Sequence, residues 1–361
     1  MTSALRYRIL DAALSFGLMP DGVLKGGAAW AAFARERREA RGGVEAQEQR
    51  LRELVRRMST GPVAELPEKA NEQHYELPAE FMELILGPRL KYSGCLWGPG
   101  VGSLAEAEEA MLSATCARAQ IEDGMRILDL GCGWGSLSLW LAERYPQAEL
   151  LAVSNSHAQR LHIEERARRA GVRNLTVQTA DVNELEAPGH FDRVISVEMF
   201  EHMRNWRELL RRIAGWLEPG GRAFVHVFSH RILPYRFEST WAAERFFSAG
   251  LMPSHELLLH FQEDLCLLER WAVSGTHYAK TLAAWLDNLD GGREEALAIL
   301  ERASGSRAEA RRLLGTWRLF LLSTRCMWGR SRGERWLVSQ YLLAPRQSRG
   351  GRGTNPDVRR A

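Results

Sequence analysis

Between residues 126 and 230 the chain alternates short apolar runs with longer segments whose apolar positions recur every three or four residues. The short runs read as buried strands, and the longer recurrence reads as helices packed on one face. Strands are predicted at 126–130, 149–153, 174–178, 191–197 and 222–228, with helical segments between them. Buried strands separated by helices specify βαβ units, hence a mostly parallel sheet with right-handed crossovers and a ligand crevice outside the strand carboxyl ends. After 230 that order lapses: 264–273 and 336–343 read as closing antiparallel strands, and 278–289, 293–303 and 307–328 as helices. The predicted fold is α/β, a doubly wound, mostly parallel seven-stranded sheet.

Three additions frame that domain, which is expected over 71–345. Residues 1–70 form an N-terminal helical extension, with Leu51, Leu54, Val55 and Met58 on one face and a surplus of arginine elsewhere. Gly42 and Gly43 divide it into two helices. Further helices are expected at 78–86 and 104–119. A lid insertion is expected at about 230–262, carrying Trp241, Phe246, Phe247, His255 and Phe261, and a helical insertion at about 278–328. Trp317, Phe320 and Trp328 recur at near-helical spacing, which reads as core, and the Gly/Arg/Ser/Pro stretch 346–361 reads as a disordered tail.

Composition narrows the classes. A 361-residue chain with 45% apolar residues buries a sizeable core, and its net charge of +3 gives no nucleic-acid surface. The five cysteines are scattered and never spaced as C-x-x-C, so neither a disulfide framework nor a metal site is expected, and a reducing cytoplasm fits. The apolar runs are too short to cross a bilayer; peripheral membrane contact through the basic N-terminal helices remains an alternative to their packing on the domain. Oligomeric state is not readable.

The chemistry gathers where the strands end. Arg126 to Ser136 reads RILDLGCGWGS, a strand with one acid, Asp129, running into glycines 131, 133 and 135. Glycine there permits positive φ and lets a ligand lie against the backbone. The run D-x-G-x-G-x-G resembles motif I of class I S-adenosylmethionine (SAM) methyltransferases, and the resemblance implies a Rossmann-like fold with Asp129, Gly131 and Gly133 at the cofactor. The second strand ends in Ser154-Asn155-Ser156 with Gln159 one turn on, and the third ends near Asp181-Val182. Asp181 either accepts from the adenine amino group or caps a turn, and Ser156 caps a helix. The fourth ends in V-E-M-F-E-H, residues 197–202, where Glu198, Glu201 and His202 would be costly to bury without partners or a task. Acids suiting a helix N-terminus are the bland reading. The fifth carries His226 beside the same crevice.

The stretches H-Y-E-L-P at 74–78, Y-S-G-C-L-W at 92–97 and V-E-M-F-E-H resemble the cyclopropane fatty acid synthase family of SAM methyltransferases. That resemblance implies SAM as cofactor, Tyr92 and Ser93 at its methionine end, Ser154, Asn155 and Gln159 at its ribose and adenine with Asp181 and Val182 beside them, and Tyr278 in the active site. Several runs are more similar to the plant coclaurine N-methyltransferase branch: A-E-E-A-M-L at 107–112, F-E-H-M-R-N-W at 200–206, H-V-F-S-H-R-I-L-P-Y-R-F-E at 226–238 and G-E-R-W at 333–336. By that likeness Trp336, with Phe228, binds substrate. Two reactions use one residue set. Glu198, Glu201 and His202 could attract an ammonium group and remove its proton ahead of N-methylation, the favoured reading, with a small aromatic or amphipathic amine as partner. Alternatively Glu201, His226 and Tyr278 would hold a bicarbonate ion that takes a proton after methyl transfer to a lipid alkene. Gly94 departs from the lipid synthases, whose pattern has cysteine there. A SAM-binding module without catalysis is the third expectation.

Overall fold

The computed structural model describes residue 7 and residues 11–15, 19–65, 77–237, 241–246 and 250–346. The chain enters through α1 (Asp21–Glu39) and α2 (Gly43–Arg57), separated at Gly42, whose φ of 85° is left-handed. Two further helices, α3 (Ala79–Ile85) and α4 (Leu104–Ala119), precede the sheet. Ser103 and Glu106 begin α4 with a reciprocal capping box. Of the stretch at 74–78, residues 74–76 lie outside the described residues, as does the tail from 347 on.

Then come β1 (Arg126–Leu130), α5 (Ser136–Arg144), β2 (Glu149–Ser154), α6 (His157–Ala170), β3 (Leu175–Thr179), β4 (Phe191–Val197), α7 (Trp206–Trp216) and β5 (Leu217–His230). The lid region holds β6 (Tyr235–Arg236), α8 (Trp241–Phe246) and β7 (Leu251–Met252). The chain closes through β8 (Leu265–Ser274), α9 (Gly275–Gly291), α10 (Arg293–Ser304), α11 (Arg307–Gly329) and β9 (Trp336–Pro345). The seven-stranded sheet has the order β3-β2-β1-β4-β5-β9-β8, parallel through β5 and antiparallel at β9 and β8. Strand order reverses between β1 and β4, which puts the crevice at their carboxyl ends.

Alternation along the strands divides the core. Leu128, Leu130 and Val194 face α7 and α2, joining Trp206, Leu209, Ile213, Leu54 and Met58. Ile127, Ile195 and Phe224 face the other way, onto Leu112 and Cys116 of α4 and Trp140 and Leu141 of α5. A third core joins α9, α10 and α11 to α1, α3 and α8 through Leu24, Phe81, Phe246, Trp285, Trp317 and Phe320. The apolar stripe of α2 thus packs inward, whereas α1 buries Leu24 and Ala32 and leaves Val23, Trp30 and Phe33 exposed. Arg318 of α11 bridges Asp21 and Asp290 at 2.7 Å each, and Glu36 of α1 lies 3.4–3.7 Å from Arg335, Arg330 and His230.

Two details differ from the sequence pattern. β5 begins at Leu217 rather than 222, because Leu217 pairs with Phe191 across an irregularity in the register. The lid contains a two-stranded sheet in which Tyr235 pairs with Met252, pairs too short to show a period-2 signal.

The turn from β8 into α9 depends on Gly275. A Cβ there would stand 2.1 Å from the Trp336 carbonyl oxygen and 2.6 Å from that of Trp328, both backbone atoms that cannot rotate away. Gly275→Ala is expected to cost about 3 kcal/mol, at the upper end of overpacking. Urea denaturation checks this, and unchanged stability would refute it.

Candidate active site

At the end of β1 the chain turns through Gly131, Gly133 and Gly135, with φ of 86°, 54° and 79°. Their reasons differ. A Cβ on Gly135 would meet Ile163 at 2.7 Å and one on Gly131 would meet Met199 at 2.9 Å, whereas one on Gly133 would meet nothing within 4 Å. Gly133 borders open space on both sides of the turn, because it lines two cavities. Asp129 stands beneath, buried and receiving the Ser138 hydroxyl proton at 2.5 Å; burial raises its pKa to about 6 against that bond.

One cavity, of about 80 Å³, is lined by Ser154, Asn155, Gln159, Asp181, Val182, Glu198 and His202. Ser154 Oγ donates to Gln159 Oε1 at 2.6 Å and Ser156 caps α6 through Gln159 N, which leaves the buried Gln159 Nε2 without a protein partner. Asp181 accepts from Asn183 N at 2.8 Å. The second cavity, of about 70 Å³, is lined by Lys91, Tyr92, Ser93, Asp129, Gly131, Gly133 and Trp134. The open glycine and the orphaned amide donor suit an adenosine on one side of the turn, and the polar loop Lys91–Ser93 suits an amino-acid end on the other; these residues fit SAM.

Glu198 occupies the junction and lines both of these cavities as well as a third. Its φ is 50°, left-handed for a residue with a Cβ. Its backbone N–H donates to His226 O at 2.7 Å. Its carboxylate accepts from Tyr278 Oη at 2.7 Å and Gly94 N at 3.1 Å, and lies 3.4 Å from His226 Nε2. The tautomer follows from the next shell. Arg118 donates to Gln340 Oε1, so Gln340 Nε2 donates to His226 Nδ1 at 2.9 Å and the imidazole proton sits on Nε2, facing Glu198. Burial opposes ionisation of Glu198, yet His226, Lys91 and Tyr278 together hold its pKa below the usual value. His226 is itself depressed by burial.

The third cavity, of about 150 Å³, is walled by Tyr92, Phe228, Phe237, Tyr278, Trp285, Phe320, Met327 and Trp328, with Glu198, Glu201 and His202 at one end. Glu201 is 1% exposed and its Oε2 has no hydrogen-bond partner; burial, then the charge of Glu198, push its carboxyl well above the carboxylate range. Burial depresses His202 to about 4, so its imidazole is neutral.

The expected cofactor residues all line the first two cavities, and Glu198, Glu201, His202, Tyr278 and Phe228 line the third. His226 lines none of them and stands behind Glu198. Trp336 is a correction: it is fully buried in the core, its Nε1 donating to Tyr235 Oη at 3.0 Å and its ring edge-on to His230, and it is absent from the cavity wall. Phe320 and Trp328, read as core, are buried in the third core and line the wall as well. The reason is that between 316 and 322 every residue of α11 except Arg318 is buried, so periodicity there does not tell a core face from a cavity face. Sequence reasoning missed Lys91, Trp134 and the segment Val63–Glu65. That segment crosses the first cavity because Asn183 pairs with both backbone groups of Ala64, and nothing local encodes a pairing across so much chain.

A parallel sheet that ends in two antiparallel strands, a glycine turn open to a cofactor on both sides and an acidic junction beside an aromatic cavity define a class I SAM-dependent methyltransferase. Among its families, the chain belongs to the mycolic acid cyclopropane synthetase family, whose profile matches residues 65–320. It is 36% identical to (S)-coclaurine N-methyltransferase of Thalictrum flavum subsp. glaucum, over 91% of this chain and 93% of that one. It is 29% identical to the cyclopropane-fatty-acyl-phospholipid synthase of Escherichia coli strain K12, over 60% of this chain and 55% of that one. A crystal structure of coclaurine N-methyltransferase bound to N-methylheliamine and S-adenosylhomocysteine (SAH) superposes with a TM-score of 0.89 at 34% identity, covering 93% of this chain and 98% of the other. No helix among the described residues is long and apolar enough to cross a membrane.

The depressed pKa of His202 sets a pH dependence. Unfolded histidine titrates near 6.5, so between there and about 4 the unfolded chain binds a proton that folded His202 does not. Stability is therefore complete above that window and falls as pH drops through it, by about 1.3 kcal/mol for this group between pH 7.5 and 5.5. Urea titrations of wild type and His202→Gln at both pH values should show the variant losing less by that amount; an identical loss would refute the assignment.

Proposed function

We propose that this methyltransferase acts on an amine nitrogen carried by a compact aromatic or amphipathic molecule. The observation that carries the reading is Glu201: a buried carboxyl whose Oε2 has no hydrogen-bond partner, at the end of an aromatic cavity. An ammonium group would satisfy it, and aromatic faces attract the same cation. The amine must lose a proton before its lone pair can attack. His202, neutral and lining both the first and third cavities, is placed to take that proton, and Glu201, which the bound cation draws from its neutral into its ionised form, stabilises the imidazolium that results. Tyr278, Gly94 and His226 hold the Glu198 carboxylate at the junction, where it draws the ammonium inward. SAM, when bound, supplies the activated methyl, so the protein's share is alignment, exclusion of water and proton handling.

The alkene reading meets an obstacle in the same geometry. Of Glu201, His226 and Tyr278, the groups that would hold a bicarbonate ion, Tyr278 donates to Glu198 and His226 stands 3.4 Å from it, and the backbone N–H of Gly94 is also taken by Glu198. Gly94 is held against the Tyr278 ring, where a Cβ would stand 2.7 Å from Cδ2, so the cysteine of the lipid-synthase pattern does not fit this arrangement. The likeness to an N-methyltransferase whose structure holds N-methylheliamine supports the amine class. The free cysteines fit a reducing cytoplasm, and exposed Trp30 on the basic α1 leaves peripheral contact with an acidic membrane within the proposal. Sedimentation with anionic vesicles tests that contact.

Purified protein with SAM should methylate the desmethyl form of N-methylheliamine at nitrogen, as read by mass spectrometry and NMR, and leave unsaturated phospholipid unchanged; the reverse would overturn the proposal. Glu201→Gln should lower kcat/KM by about 100-fold with SAH affinity kept within twofold. A rate within about threefold of wild type would remove Glu201 from the proton chemistry.

A further inference from the structure

Lys91 is 3% exposed, on the loop between α3 and α4. Its Nζ donates to Ser93 Oγ at 2.5 Å and to Gly94 O at 2.9 Å. Both acceptors are neutral. The nearby buried acid, Glu108, is committed elsewhere: its carboxylate accepts from the backbone N–H of Arg89 at 2.9 Å and of Lys91 itself at 3.1 Å. Among the described residues, no carboxylate forms an ion pair with Nζ. Glu108 and Glu198 act on Lys91 only beyond ion-pair distance, and a buried ammonium with three donors and two neutral acceptors in contact is a costly arrangement unless an anion completes it.

The cavity that Lys91 lines supplies the place. Lys91, Tyr92 and Ser93 form one wall, and Asp129 with the Gly131–Trp134 turn forms the other. The adenosine side lies across Gly133, so the part of the cofactor that enters this side is its amino acid, which carries the only carboxylate in the molecule. Asp129 is an acid, suited to the opposite charge. We propose that Lys91 is a cofactor-binding residue whose ammonium pairs with the methionine carboxylate of SAM, with Ser93 and Gly94 O holding Nζ in place for it. This rests on SAM occupying the crevice and not on the identity of the methyl acceptor.

Two arrangements compete, because Lys91 also contributes to keeping Glu198 ionised. They separate on ligands that differ only in the carboxylate. Isothermal titration calorimetry with SAH and with decarboxylated SAH should show wild type preferring SAH by at least about tenfold, the scale of one charge-assisted pair. Lys91→Met should narrow the preference to within about threefold, chiefly by weakening SAH, and Lys91→Arg should restore part of it. If Lys91→Met keeps the wild-type ratio, even with both affinities reduced, the residue serves Glu198 alone and the proposal fails. A crystal structure of the wild-type protein with SAH decides without any variant: Nζ within about 3.2 Å of the carboxylate supports the pair, and a carboxylate directed elsewhere overturns it.

Discussion

The site depends on one buried carboxylate held by three parts of the chain. Glu198 leaves β4 in a left-handed conformation that a residue with a Cβ enters at a cost of the order of 1–3 kcal/mol. The bonds that offset this come from the loop before α4 through Gly94, from β5 through the His226 carbonyl, and from α9 through Tyr278, with the His226 ring 3.4 Å from the carboxylate. Behind them Gln340 and Arg118 set the imidazole tautomer, so the orientation of Glu198 reaches across β5 and β9 to α4. A charge this deeply buried is tolerable only while all of these partners remain, which couples the antiparallel end of the sheet to the chemistry at its parallel centre.

Because Glu198 lines all three cavities, the same bonds set the two cofactor cavities and the aromatic cavity relative to each other. They also sort the titratable groups beside it. Glu198 is held ionised by partners, Glu201 is driven toward its neutral form by burial and by Glu198, and His202 is kept neutral by burial. Three residues within five positions therefore divide into one charged and two neutral groups, and the difference between the two glutamates lies in their surroundings. On the far side of the glycine turn Lys91 presents the opposite sign, so the crevice is electrostatically divided between its two ends.

The segments after β5 give the aromatic cavity its shape. Helices α9 and α11 bring Tyr278, Trp285, Phe320 and Trp328, and the lid brings Phe237, Ala242 and Met252. A wall drawn from so many separate elements exists only when the third core is packed, and that core also includes α1. The N-terminal helices thus contribute to the site without touching it.

Taken alone, the sequence determined the strands of the sheet to within a few residues, their parallel and antiparallel division, the glycine turn and the acid–histidine run, because each is encoded by neighbours: period, turn chemistry and adjacency in the chain. Tertiary structure decided what those residues face. It placed His226 behind Glu198, buried Trp336 in the core, made Phe320 and Trp328 cavity wall as well as core, drew Ala64 across the cofactor side and left Lys91 with only neutral acceptors in contact. Those outcomes depend on contacts between residues far apart in the chain, and a local pattern carries no information about which distant side chain completes a bond or closes a wall.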